Sequence, residues 1–163
     1  MNFLGSNVAV FFIDKIGRRG ILLWSLPGIF VALVGLAASF GMMVLQGFSG
    51  GEYAILAFLL MYIAFFSIGM GPTPWVIISE IIPLEFRSTA SSLGTAANWI
   101  SNFVISMAFL PMASTSEGLI SIWLILASFA LISFLWVFVR LPETKGHHLE
   151  EITNLFQKED KLN

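Results

Sequence analysis

Gly71-Pro72-Thr73-Pro74-Trp75 interrupts the middle of a long apolar run, and Glu80 and Arg87 close that run. Proline has no backbone donor and disfavours the helical conformation at the residue before it. Pro72 and Pro74 therefore leave carbonyls unpaired, and in hydrocarbon these need partners within the protein or in a water-filled cavity. Discontinuous spans of this kind hold substrates in membrane transporters. The expected chemistry is thus reversible binding along a transport pathway. Trp75 can join an interfacial aromatic belt or face a cavity, and the adjacent break favours the cavity. Glu80 lies between Ile77-Ile78 and Ile81-Ile82, where a carboxylate is costly unless paired.

A second constellation follows at helical spacing. Ser91, Thr95, Asn98, Asn102 and Ser106 fall on one helix face. Such a row can hydrogen-bond to a neighbouring helix, which accounts for Ser91 and Ser106. Asn98 and Asn102, one turn apart with Trp99 beside them, offer both donors and acceptors and suit a polyhydroxylated ligand. The sequence has no nucleophile–base pair, no metal-ligating cluster and no pair of intramembrane carboxylates, which argues against an enzyme, a metal site or a cofactor. His147-His148 are adjacent in a charged stretch without further ligands and read as solvated surface. No basic stripe with interleaved aromatics suggests nucleic acid, and with no cysteine the redox compartment is not indicated.

The elements that must position these residues are read from charge. The chain of 163 residues is 57% hydrophobic and 11% charged, well below the roughly 25% charged residues of a soluble domain. Ile21 to Gly51, Tyr53 to Ser79, Ser88 to Ser116 and Gly118 to Val139 carry no charge at all. Each exceeds the ~20 residues that cross a bilayer core as a helix. An all-α integral membrane fold follows, with transmembrane helices over 21–45, 53–82 (broken), 88–112 and 118–139. Residues 1–13 read as the end of a further, truncated span. Residues 14–20 and 83–87 read as short loops, and 140–163 as a tail with a short amphipathic helix through Leu149, Ile152, Leu155 and Phe156. With alternating spans all 8 Lys and Arg residues fall on one side, the cytoplasmic one, which also holds the C-terminus. The glycine-flanked turn Asp14-Lys15-Ile16-Gly17-Arg18-Arg19-Gly20 can serve as an orientation signal, or its charges can latch onto other cytoplasmic ends.

Four motifs in order, Asp14 to Arg19, Gly71 to Trp75 with Ser79-Glu80 and Arg87, Asn98-Trp99 with Asn102-Phe103, and Pro142-Glu143-Thr144-Lys145-Gly146, resemble the sugar porter branch of the major facilitator superfamily. Gly69 to Trp75, Ser79-Glu80-Ile81, Pro83-Leu84, Arg87-Ser88-Thr89 and Leu149-Glu150-Glu151-Ile152 look most like its proton-coupled myo-inositol transporters. The resemblance implies the C-terminal portion of a twelve-span, plasma-membrane carrier working by alternating access, with a sugar or polyol as substrate. It implies that Trp75, Asn98, Trp99 and Asn102 contact substrate, and that the break at Gly71, Pro72 and Pro74 acts as the hinge of an external gate. It further implies that Arg18, Arg19, Glu80, Arg87 and Glu143 form a cytoplasmic charge network holding the outward-facing state closed inside. Facilitative glucose carriers of the family often have Glu where Ser67 stands here, which argues against that alternative. The family's proton-coupling acid lies in its N-terminal half, so protons are implied only through residues this chain lacks. A non-transporting, truncated membrane protein is the remaining alternative.

Overall fold

Charge-free runs in lipid can satisfy their backbone groups only within the segment or around a closed barrel, and here they do so as helices. The computed structural model describes residues 17–46 and 51–141, and no strand occurs among them. They form α1 (Arg18–Gln46), α2 (Gly51–Ile68), α3 (Thr73–Ile81), α4 (Leu84–Ala113) and α5 (Ser116–Arg140). Among the described residues four segments are long and apolar enough to cross a membrane, with α2 and α3 together forming one of them. The fold is that of an all-α integral membrane protein. The expected partial span over 1–13, the start of the 14–20 loop, and the tail beyond Leu141 with Glu143 and the short helix lie outside the described residues.

The helices overrun the expected spans at their charged ends. α1 begins at Arg18, placing Arg18 and Arg19 in its first turn rather than in a loop, directly after Gly17 at φ 90°. That left-handed backbone is open to glycine at little cost. The expected 83–87 loop shrinks to Ile82-Pro83, because α4 already starts at Leu84. Pro83 explains the difference. It holds Ile82 extended at ψ 128° and itself sits at the N-cap with φ −54°, while Glu85 in the first turn complements the helix dipole. At the other end of the bundle Thr115 caps α5, its Oγ1 accepting from the Gly118 amide at 3.2 Å.

α1 is the central helix. It packs along α5 and α2, whereas α4 lies outside, against α5 and α3. Ile21, Leu26, Ala32 and Leu36 of α1 are almost wholly buried, and α4 has no buried residue. Lipid tails are as apolar as leucine, so such contacts gain through close packing and dispersion rather than through the hydrophobic effect. Glycines permit that approach. The rings of Phe65 and Phe58 on α2 seat directly on Gly28 and Gly35 of α1, and Gly69 lies against Ser25. Going up α1, these partners go down α2, which fixes the two helices antiparallel and in register.

Gly69→Ala is expected to lower thermal stability measurably, because its new Cβ would overlap the hydroxyl of the fully buried Ser25. Overpacking of this sort costs roughly 1–3 kcal/mol. Adding Ser25→Gly should recover part of the loss in melts of detergent-solubilised protein. A Gly69→Ala melt equal to wild type would show that this approach is not tight.

Candidate functional site

Pro72 and Pro74 decide the local geometry of the break. Their missing amides are those that a continuous helix would direct to the carbonyls of Ile68 and Met70. The chain bridges the gap irregularly. The Gly69 amide donates to Phe65 O at 3.0 Å, and the Gly71 amide reaches back five residues to Phe66 O at 2.8 Å. The Thr73 amide donates to Gly69 O at 3.2 Å and Val76 to Pro72 O at 3.3 Å, which starts α3. A Cβ on Gly71 would stand 3.3 Å from Phe66 O, so a larger residue would crowd this turn. The result is a short helix, α3, jointed to α2 through four residues, Gly69 to Pro72.

Thr73, the first residue of α3, is completely buried, and its Oγ1 has no hydrogen-bond partner. A buried, unsatisfied hydroxyl costs about 1–3 kcal/mol. Sequence reasoning treated Thr73 only as part of the break, since nothing in the order of residues announces burial at that position. Trp75 is 43% exposed. α3 meets α4 where Ile78 lies against Gly94, a Cβ on which would be 3.2 Å from Ile78 Cδ1. The short Ile82-Pro83 connection makes α3 and α4 antiparallel. One turn back from Ile78 is Trp75, and one turn on from Gly94 is Asn98, so these two stand at a similar level. Trp99, at 68%, and both asparagines are exposed on α4. The Asn102 Nδ2 donates to Asn98 O at 2.8 Å, and Thr95 Oγ1 to Ser91 O at 2.8 Å.

At the far end of α3 the charges separate into distinct partners. Arg18 grips Glu80 with two nitrogens: Nε lies 3.0 and 3.1 Å from the two carboxylate oxygens and Nη2 lies 2.6 Å from Oε1. Both side chains are largely shielded, at 16% and 28% exposure, so the pair is screened less than a surface ion pair. The carboxylate also offsets an unfavourable placement, since a cation in the first turn of α1 faces the positive end of the helix dipole. Arg19 instead donates from Nη2 to Phe138 O at 2.9 Å, tying the start of α1 to the end of α5. Arg87 donates from Nε and Nη2 to Ile82 O at 3.4 and 3.3 Å, bracing the turn between α3 and α4.

A cavity of about 480 Å³ lies behind α3. Met70, Pro74, Ile77, Ile78 and Ile81 form one wall, and α1 and α5 close it through Leu22 and Val137, with Ser133 as its polar lining residue. Ligand recognition needs a few placed polar groups, and this cavity does not offer the several that a polyol requires. Trp75, Asn98 and Asn102 are not among its walls. No group of three or more potential metal ligands occurs among the described residues.

Comparison with known proteins follows the same outline. The family model described as "Sugar (and other) transporter" matches residues 1–156. The chain is 41% identical over 162 residues to "Probable polyol transporter 6" of Arabidopsis thaliana, covering 94% of this chain and 32% of that protein. It is 42% identical over 154 residues to "Probable polyol transporter 3" of the same plant, covering 91% and 29%. Among solved structures, the "proton:xylose symporter XylE bound to 6-bromo-6-deoxy-D-glucose" superposes with a TM-score of 0.78 at 28% identity, over 95% of this chain and 32% of that one. The chain thus spans about a third of the length of the relatives it matches.

Proposed function

Because the chain belongs to the sugar porter family of the major facilitator superfamily, we propose that it forms one wall and one gate of a sugar or polyol pathway that operates by alternating access. The observation that carries this reading is the jointed span with Trp75 beside the break, at a similar level to Asn98 on the adjoining helix. Trp75 would stack on the apolar face of a sugar or cyclitol ring, and Asn98, Asn102 and Trp99 would hydrogen-bond its hydroxyls. The Gly69–Pro72 joint would let α3 change its angle to the rest of the wall. The Arg18–Glu80 pair, with Arg19, Arg87 and Glu143 nearby in the family pattern, would hold the cytoplasmic end closed. No bond of the substrate is made or broken; membrane transporters of this family are not enzymes.

Orientation follows from charge. Arg18 and Arg19 at the start of α1, Arg87 at the start of α4 and Arg140 at the end of α5 all lie at one end of the bundle. By the positive-inside rule this end, with the C-terminus, is cytoplasmic, and the membrane of residence is the plasma membrane. The finer reading is myo-inositol carried with protons, the coupling acid being supplied by the N-terminal half that family members have. Similarity to polyol transporters supports the polyol class.

Uptake of radiolabelled myo-inositol should be measured in proteoliposomes holding a complete transporter that carries this segment. Uptake is expected to accelerate several-fold when the outside is made acidic. Glucose uptake indifferent to the pH gradient, with no inositol uptake, would replace this reading with a facilitative hexose carrier. Absence of any sugar or polyol uptake would favour a non-transporting membrane protein.

A further inference from the structure

α3 has the anatomy of a lever. It is 9 residues long, jointed at Gly69–Pro72, held at its tip by Arg18–Glu80 and backed by the apolar cavity. The cavity leaves open space between α3 and the ends of α1 and α5, beside the contact that Ile77 makes with the cluster of Leu22, Leu26, Val137 and Leu141. At the pivot one carbonyl has lost its helical donor and one hydroxyl is in a costly state. Met70 O has lost its helical donor, because that donor would have been the amide of Pro74. Thr73 Oγ1 is buried without a partner.

Serine and threonine hydroxyls in helices ordinarily donate to the carbonyl three or four residues back. Other hydroxyls of this chain do so: Ser79 to Val76 O at 2.7 Å, Thr95 to Ser91 O at 2.8 Å and Ser101 to Ala97 O at 2.8 Å. For Thr73 the carbonyl three residues back is Met70 O. The hydroxyl is therefore the donor that this pattern would direct to the acceptor that Pro74 strands.

We infer that Thr73 is a positioning residue at the pivot of α3, whose hydroxyl takes up Met70 O when the lever swings away from the position described here. The two positions then exchange contacts. In this one Arg18–Glu80 is closed and the Thr73 hydroxyl is unsatisfied. In the other the tip contact is released and the Thr73–Met70 bond is made. Thr73 would lower the free-energy difference between the two positions and so permit rapid exchange. This rests on the transporter reading above only for its link to turnover; the motion itself is testable without substrate.

The test uses a complete transporter carrying this segment, with any cysteines elsewhere removed; the present chain contains 0. Spin labels on Ser79→Cys and Leu135→Cys report the distance from the tip of α3 to α5. Wild type should give two distance populations, and Thr73→Val should collapse them at least fivefold towards the one described here, while Thr73→Ser keeps both. In uptake, Thr73→Val should lower kcat about fivefold or more with substrate Kd within twofold and with a melting temperature at or above wild type. Thr73→Ser should transport normally. A single distance population in wild type, an unchanged distribution in Thr73→Val, or a loss shared by Thr73→Ser would overturn the inference. So would a Thr73→Val defect accompanied by a lower melting temperature, which is damage rather than bias. If the distances shift as expected but wild type carries no sugar or polyol, the transporter reading fails and the role of Thr73 stands.

Discussion

Trp75→Ala in a complete transporter is expected to raise the half-saturation concentration for substrate about tenfold to a hundredfold. The magnitude follows from losing one aromatic platform against a ring, roughly 1.5–3 kcal/mol of buried contact, at 1.4 kcal/mol per factor of ten. The fold should survive, because Trp75 is 43% exposed and is not part of the packed core around α1. Trp75→Phe should retain most of the affinity, as it keeps a flat apolar face. Asn98→Ala should lose less than Trp75→Ala, because any substrate hydroxyl that Asn98 would meet can turn to water when the wall is open. Equilibrium binding and uptake kinetics on the three variants are the measurement. Wild-type affinity in Trp75→Ala would remove the residue from the site and leave it as an aromatic anchor at the break.

Breaking the Arg18–Glu80 pair should have the second large effect. In a double-mutant cycle with Arg18→Gln and Glu80→Gln, the coupling energy is expected to be about 1–3 kcal/mol, the range for directly contacting, shielded groups. Three contacts between Arg18 nitrogens and the Glu80 carboxylate argue for a value away from zero. Each single variant should be worse than the pair's own worth, because it leaves one charge shielded without its partner. For Arg18 the penalty includes the positive end of α1. Coupling between Glu80 and Arg87 should be smaller, since the Arg87 guanidinium braces Ile82 O. Thermal unfolding gives the stability cycle, and the spin-label distances give its conformational counterpart. Additivity of Arg18 and Glu80 within about 0.5 kcal/mol would dismiss the latch.

Much of the architecture could be read without coordinates, and the reasons are local. Uninterrupted apolar runs longer than the bilayer core leave the backbone little choice but helix. A break near Gly71 to Pro74 could be expected because proline's missing donor is a covalent fact. The structure sets the joint slightly earlier, at Gly69 to Pro72, and takes Pro74 into the first turn of α3, where its missing amide is tolerated. Span ends were less legible. Hydropathy marks where the bilayer core begins, whereas helices stop where capping and the next turn stop them. That is why α1 takes in Arg18 and Arg19 and why Pro83 starts α4 at Leu84. The candidate site was readable only as residue types: Asn98 and Asn102 from helical spacing along one segment, Trp99 from its place beside them, and Trp75 from its place beside the break.

Long-range choices were not legible. Arg18, Arg19, Glu80 and Arg87 form a plausible charge group in any order of pairing. Glu80 meets Arg18, 62 positions away, only because the start of α1 and the end of α3 lie at the same level of the bundle. Arg19, its neighbour, points instead to Phe138 O on α5, since successive side chains on a helix face different partners. The burial of Thr73 and the cavity behind α3 belong to the same category. Both depend on how Gly69 seats against Ser25 and how α3 lies against α1 and α5. Backbone chemistry and apolar length are properties of a segment, and they set the helices, the joint and the side of the membrane on which charge collects. Pairing, burial and the cavity behind α3 are properties of how segments pack, and they arise only when the helices come together.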